Sequence, residues 1–245
     1  MASLTVNRAH HQRIMTALRA FDPEVLIRCS CYFAGGTAIA LLAGEHRESV
    51  DIDFLCTTRD GMRQLRTTVT SNSLGDLLRA EAQLPLMREV MADRYGVRTV
   101  VWVDGAPIKL ELVHEDRIDV TGGMIDTLPV PVLSRTDLYA EKLLANTDRG
   151  TDQAVLYRDM IDLTVMINAW GPIPTAAWQK ARGAYGQKID QAFEVVQAFL
   201  RAHPEKWKEA CQRMHIDMDW QYKIGQAIGI PRHAYRKDPE SGRSI

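Results

Sequence analysis

The sequence is short of the features that usually announce a class of protein. Its formal charge is only -1, with 30 Lys and Arg against 31 Asp and Glu. That balance excludes a strongly basic chain coating nucleic acid without selectivity. The cysteines, Cys29, Cys31, Cys56 and Cys211, form no CxxC pair and no zinc-type spacing. Cys29 and Cys31 lie two apart and read as small apolar side chains on a strand. No apolar run approaches the ~20 residues of a membrane span, and Arg8, His10, His11 and Arg13 interrupt any leader-like stretch. There is no internal repeat and no low-complexity tract. A reducing, cytoplasmic setting without membrane attachment is the expectation.

What is present fits an ordinary globular protein. The 245 residues, 46% hydrophobic and 25% charged, suffice for two modest domains, each with its own core. Apolar spacing predicts an amphipathic helix from Asn7 to Phe21, which Asp22-Pro23 stops or turns into a short restart. Cys31 to Ala34 reads as a buried strand, Thr37 to Leu42 as a helix and Val50 to Cys56 as a strand. Thr57 to Arg94 is helical or irregular, punctuated by Gly61, Ser71-Asn72-Ser73, Gly75 and Pro85. Seven arginines fall between Arg59 and Arg98 and read first as a solvated helix face.

A hairpin is the next expectation: Val97 to Val103, the turn pair Asp104-Gly105, then Ile108 to Val113. Pro129 and Pro131 read as an extended connector and divide residues 1–130 from a helical domain, 131–230. Helices are predicted there over Thr136–Asn146, Ala154–Trp170, Thr175–Ala181, Lys188–Ala202 and Glu205–Arg213. Residues 231–245 are polar and basic and are expected to be loosely ordered. The fold class is therefore α+β, a small mixed sheet with flanking helices followed by a helical domain.

The chemistry concentrates between Phe33 and Phe54. Residues two apart on a strand share a face, so Asp51 and Asp53 should project together. Paired carboxylates repel and call for a cation, and Mg2+ favours carboxylate oxygens while leaving room for substrate phosphates. Upstream, Gly35 and Gly36 let backbone amides approach an anion at a helix start. A nucleoside triphosphate between phosphate cradle and metal follows. On the returning hairpin strand Lys109 and Glu111 share one face, and such a charged pair belongs at an edge or in a site. If the two strands are neighbours, Asp51, Asp53 and Glu111 converge on one or two Mg2+ ions.

Gly-Gly-Thr, 13 residues, then Asp-Ile-Asp-Phe resembles the signature of polymerase-β-type nucleotidyltransferases. Within that superfamily GGTAIALLAGEHRESVDIDF resembles the AbiEii/AbiGii toxin-type branch, because His46-Arg47-x-Ser49 sits just before the aspartates. Lys109-Leu110-Glu111, Lys142 in AEKLLAN, and Arg158-Asp159-x-x-Asp162-Leu163 match further motifs of that branch. The resemblance covers roughly residues 33–165. Two departures stand out: Thr37 replaces a serine but keeps the hydroxyl, and Arg158 stands where lysine is usual, leaving its role open.

The resemblance implies an Mg2+-dependent transfer of a nucleoside monophosphate from a triphosphate to a hydroxyl. Asp51, Asp53 and Glu111 would be catalytic and metal-binding, and Gly35, Gly36, Thr37, Arg47, Ser49, Lys109, Lys142, Asp159 and Asp162 nucleotide-binding, in a cleft between the two domains. It further implies a bacterial toxin with a cognate antitoxin and an RNA acceptor, the tRNA 3′ end being one candidate. Two alternatives remain open at this level, an antibiotic-modifying nucleotidyltransferase and a non-catalytic nucleotide-binding module. The first needs an acidic acceptor pocket, whereas an RNA acceptor needs the arginine-rich segment exposed. Each motif also has an ordinary reading: a tight turn at Gly35-Gly36, a surface ion pair between Glu111 and Lys109, and helix pairing of Asp159 and Asp162 with Arg158 or Arg149.

Overall fold

The computed structural model describes residues 4–232, so most of the polar tail lies outside the described residues. The fold is α+β, built as two compact units. The first comprises residues up to Glu45 and Ser49–Leu138; the second comprises His46–Glu48 and the chain from Tyr139.

The first unit opens with α1 (Ala9–Ala20), whose buried face carries Ile14, Met15, Ala17 and Leu18. Asp22 caps α2 (Pro23–Arg28), accepting from the Glu24 and Val25 amides, with proline at the first turn where its missing amide is harmless. This short helix fulfils the restart expected at Asp22-Pro23. The strand β1 (Cys31–Ala34) runs directly into α3 (Gly35–Leu42), so the glycine pair forms the first turn of the helix instead of preceding it. Next come β2 (Ile52–Cys56) and α4 (Arg59–Thr68), the latter capped by the Thr58 hydroxyl accepting from the Gly61 amide. Then follow β3 (Met91–Asp93), β4 (Gly96–Val103), β5 (Ala106–His114), β6 (Gly122–Gly123) and β7 (Val132–Leu133).

These seven strands form one mixed sheet in the order β3-β4-β5-β2-β1-β7-β6. Asp104 and Gly105, at φ 46° and 81°, make the hairpin turn between β4 and β5, both in the left-handed region that a two-residue type I′ loop demands. β7 lies in the stretch read as an extended connector; extended it is, and it pairs in parallel with β1. β2 alternates: Ile52, Phe54 and Cys56 are buried, while Asp53 and Leu55 are half-exposed. Phe54 packs between Phe21 and Phe33, with ring centroids 5.2 Å and 5.7 Å away. Each such side chain contributes about 1.5–3 kcal/mol by leaving water. One face of the sheet is thereby a core, and the other carries the polar residues.

The helix α5 (Arg135–Arg149) begins at the end of the first unit, and its residues from Tyr139 onward belong to the second. There follow α6 (Arg158–Trp170), α7 (Thr175–Tyr185), α8 (Lys188–Ala202), α9 (Pro204–Arg213) and α10 (Met218–Ile228). α6 is buried from Asp159 to Met166 and packs against α8 and α10. Sequence periodicity missed α10, in which only Ile224, Gly225 and Ile228 are buried. No helix among the described residues is long and apolar enough to cross a membrane.

Candidate active site

β2 and β5 are parallel neighbours, and their register sets Asp53 directly beside Glu111. On the other side of β2, Asp53 faces Ala34, the last residue before the glycine turn. Gly35 adopts φ +72°, and a Cβ on it would lie 2.5 Å from Asp53 Oδ2. The glycine thus serves twice, once for its backbone and once for the space its missing side chain leaves to the carboxylate. The residue at the N-cap of α3, Ala34, gives the helix no side-chain cap. Asp51 sits one residue before β2 and, like Asp53 and Glu111, is half-exposed.

Lys109 ties this face together. Its Nζ donates to Glu111 Oε2 at 2.6 Å. That hydrogen bond, and with it the charges of Glu111, Asp51 and Asp53, raises the Lys109 pKa against a cost of burial. Three carboxylates are therefore within electrostatic reach of one ammonium. From the cross-strand position on β4, Arg98 Nε lies 3.5 Å from Glu111 Oε1.

Thr37 and Ser49 are placed differently from the other expected nucleotide contacts. Both are buried, and the Thr37 hydroxyl donates to the Asp51 carbonyl at 2.5 Å and shares a 2.8 Å hydrogen bond with the Ser49 hydroxyl. They fix the entry to β2. Behind them stands His11, fully buried, whose Nδ1 lies 2.8 Å from Glu45 Oε1 and whose Nε2 accepts from the Ser49 amide at 3.0 Å. Since an amide can only donate, Nε2 is unprotonated and Nδ1 carries the proton. Burial lowers the His11 pKa, with the Glu45 hydrogen bond opposing.

In the second unit Arg47, Lys142, Asp159 and Asp162 come together in one ion-pair network. Asp162, fully buried, accepts from Arg47 Nε at 2.7 Å and from its terminal nitrogen at 2.9 Å, a bidentate pair. It also meets His46 Nε2 at 2.9 Å and Lys142 Nζ at 2.7 Å. Lys142 reaches on to Asp159 at 2.8 Å, and Arg149 Nε closes that carboxylate at 2.7 Å. Burial alone would raise both aspartates; the charges of Arg47 and Lys142 hold Asp162 far down, and those of Lys142 and Arg149 hold Asp159 at about 2. Burial lowers the His46 pKa, opposed by Asp162, and its Nδ1 has no hydrogen-bond partner among the described residues. Arg158 is half-exposed at the start of α6.

Sequence reasoning passed over His11 and Arg98 as members of the site, whereas the pairing of Asp159 with Arg149 was one of its ordinary readings and is the one observed. The hairpin register could have found Arg98, because a two-residue turn at Asp104-Gly105 sets it opposite Glu111. Nothing in the sequence joins His11 to Ser49 across 38 positions.

Among the described residues no three His, Cys, Asp or Glu side chains are drawn into a preformed metal cage. The donor set still fits a hard divalent cation. Asp53 and Glu111 are adjacent by register, Asp51 immediately precedes the same strand, and all offer oxygen. The cations on Glu111 are 51% (Lys109) and 32% (Arg98) exposed in their side chains, and such pairs are worth at most about 1 kcal/mol. Freeing the carboxylate costs little.

No curated protein matches the chain. Among solved structures it is similar to JHP933 from Helicobacter pylori, 13% identical, covering 92% of each chain with a TM-score of 0.45. It is likewise similar to an antigenic nucleotidyltransferase-like protein from Paracoccidioides brasiliensis, 16% identical, covering 84% of this chain and 94% of that one, TM-score 0.45. Likenesses at this level add no weight of their own. The family described as nucleotidyl transferase AbiEii toxin, type IV toxin–antitoxin system, matches residues 16–223. That span runs through the glycine turn, the carboxylate strands and the network around Asp162, and the chain belongs to this family of nucleotidyltransferase toxins.

Proposed function

We propose that this nucleotidyltransferase moves a nucleoside monophosphate from a triphosphate to a hydroxyl of an RNA acceptor. The acceptor oxygen attacks the α-phosphorus, the bond to the bridging oxygen breaks, and pyrophosphate leaves with the electron pair. The observation that carries this reading is the pairing of Asp53 with Glu111 beside a glycine whose missing side chain leaves room for the Asp53 carboxylate.

Asp51, Asp53 and Glu111 would hold Mg2+, which when bound offsets the charge that builds on the transferred phosphoryl group. The uncapped first turn of α3, at Gly35 and Gly36, receives the polyphosphate. Glu111 takes the proton of the attacking hydroxyl and becomes a neutral acid, and Lys109, hydrogen-bonded to it, holds the carboxylate in place beforehand. Thr37 and Ser49 serve by fixing Asp51. Asp159 and Asp162 serve by holding Lys142 and Arg47 in set positions.

Exposure favours RNA over a small-molecule acceptor. Arg59, Arg63, Arg79, Arg88 and Arg94 are exposed, and Arg66 and Arg98 half-exposed. The type IV system to which the family belongs implies an antitoxin counterpart. The four free, buried cysteines suit a reducing, cytoplasmic setting.

The test is incubation with Mg2+, each labelled triphosphate and total bacterial RNA, comparing wild type with Asp53→Asn. Label is expected in RNA with the wild type, and at least about a hundredfold less with the variant. Equal labelling by both would remove Asp53 from the mechanism.

A further inference from the structure

The open face of the sheet carries an aromatic side chain that the transfer chemistry does not use. Trp102 lies on β4 between Val101 and Val103, both buried, and is itself 42% exposed. A lone exposed apolar residue is ordinary; the row in which this one stands is not. The β4–β5 register pairs Arg98 with Glu111, Val100 with Lys109 and Trp102 with Pro107. Alternation puts all of these on the face that bears Asp53. Trp102 thus stands two residues beyond the partner of Lys109 and four beyond the partner of Glu111, about 13 Å along the strand at ~3.3 Å per residue.

Strand order gives the face two sides. β1 and the α3 turn flank β2 on one side, and β5 and β4 flank it on the other. With the polyphosphate on the α3 side, an acceptor that enters from the other side comes over β5 and β4, across Trp102. The same edge is cationic and aromatic. Arg98 is half-exposed on the face, and Arg88 is exposed where its amide reaches the Val100 carbonyl at 3.4 Å. Arg94 lies over the Tyr95 ring, 4.6 Å from its centroid, both exposed at the β3–β4 turn. An exposed aromatic side chain with cations along the same strand suits unpaired bases and their phosphates; a duplex buries its base faces in its own stack.

We propose that Trp102 is a stacking platform for an unpaired base of a single-stranded RNA acceptor. The inference rests on the nucleotidyl-transfer reading for the direction of approach, but its binding prediction is independent of turnover. Trp102 binds and orients; it takes no part in the bond changes.

The experiment measures fluorescence anisotropy of a short fluorescein-labelled single-stranded oligoribonucleotide with the full chain, and separately the binding of a fluorescent triphosphate analogue. Trp102→Ala is expected to weaken oligonucleotide binding about tenfold or more, and Trp102→Phe to retain most of it. Triphosphate affinity should be unchanged in both, and duplex RNA should compete poorly. Where transfer to RNA is measurable, Trp102→Ala should raise KM for the RNA and leave KM for the triphosphate unchanged.

Unchanged oligonucleotide affinity in Trp102→Ala overturns the platform, as it must if this face docks a protein instead. Absence of oligonucleotide binding by the wild type, or preference for duplex, also overturns it. An equal loss of triphosphate binding assigns Trp102 to the nucleotide and does the same. Trp102-dependent binding without transfer to any RNA would sink the reading of RNA as acceptor and leave the platform standing as a binding site. Transfer to RNA that ignores Trp102 would do the reverse.

Discussion

Gly35 approaches Asp53 so closely that a methyl group on its Cα would sit 2.5 Å from Oδ2 of the carboxylate. Gly35→Ala should therefore strike activity harder than stability. The left-handed φ of +72° costs an alanine about 1–2 kcal/mol. The added methyl also displaces the carboxylate proposed to do the chemistry. We expect transfer to fall by about two orders of magnitude or more while urea unfolding shows only the smaller loss. Transfer near the wild-type rate would break the link between turn and carboxylate.

Glu111 tests the other half of the strand pair. Its partners Lys109 and Arg98 are partly exposed, so Glu111→Gln should change unfolding free energy by less than about 1 kcal/mol. Transfer should fall about a hundredfold or more, because the amide neither takes a proton nor carries charge. A destabilised but fully active variant would return Glu111 to the role of a surface ion pair.

Asp162 should behave in the opposite way. Fully buried, it is the acceptor that Arg47, His46 and Lys142 share. Asp162→Ala leaves buried cations without their carboxylate and should cost about 3–5 kcal/mol. Urea unfolding followed by tryptophan fluorescence, with Trp207 and Trp220 in the second unit, would register it. A loss under about 1 kcal/mol would mean that the network is not what holds these side chains.

Local signals made much of this legible before any coordinates. The Asp104-Gly105 turn fixed a hairpin and, through its register, the face on which Lys109 and Glu111 lie. The two-residue period put Asp53 on the half-exposed side of β2. That β2 and β5 are neighbours stays a condition at the level of sequence, since 58 positions separate Asp53 from Glu111 and parallel pairing leaves no turn to read. Thr37 and Ser49 illustrate a different limit. Their spacing matched a nucleotide motif, yet their hydroxyls are turned to each other and to a carbonyl, and no pattern of residue types shows which way a hydroxyl points. The helix α10 stayed hidden because its apolar residues are spread around it and only Ile224, Gly225 and Ile228 are buried.

His11 makes the last prediction, a dependence on pH. Folding lowers its pKa, by burial first and against the pull of Glu45, with Arg8 and His10 also lowering it. The unfolded chain therefore binds more protons than the folded one below about pH 6.5, so this contribution to stability is present above that value and is lost as pH falls through the folded pKa. His46, lowered by burial, adds in the same direction. The structural cause at His11 is specific: a protonated Nε2 would point a hydrogen at the Ser49 amide, from which it now accepts at 3.0 Å. Acid should then loosen Ser49, Thr37 and the entry to Asp51 together. Urea midpoints measured from pH 8 to pH 5 should decline more steeply for wild type than for His11→Gln, which has no imidazole to titrate. Parallel profiles would show that His11 does not couple protonation to this strand.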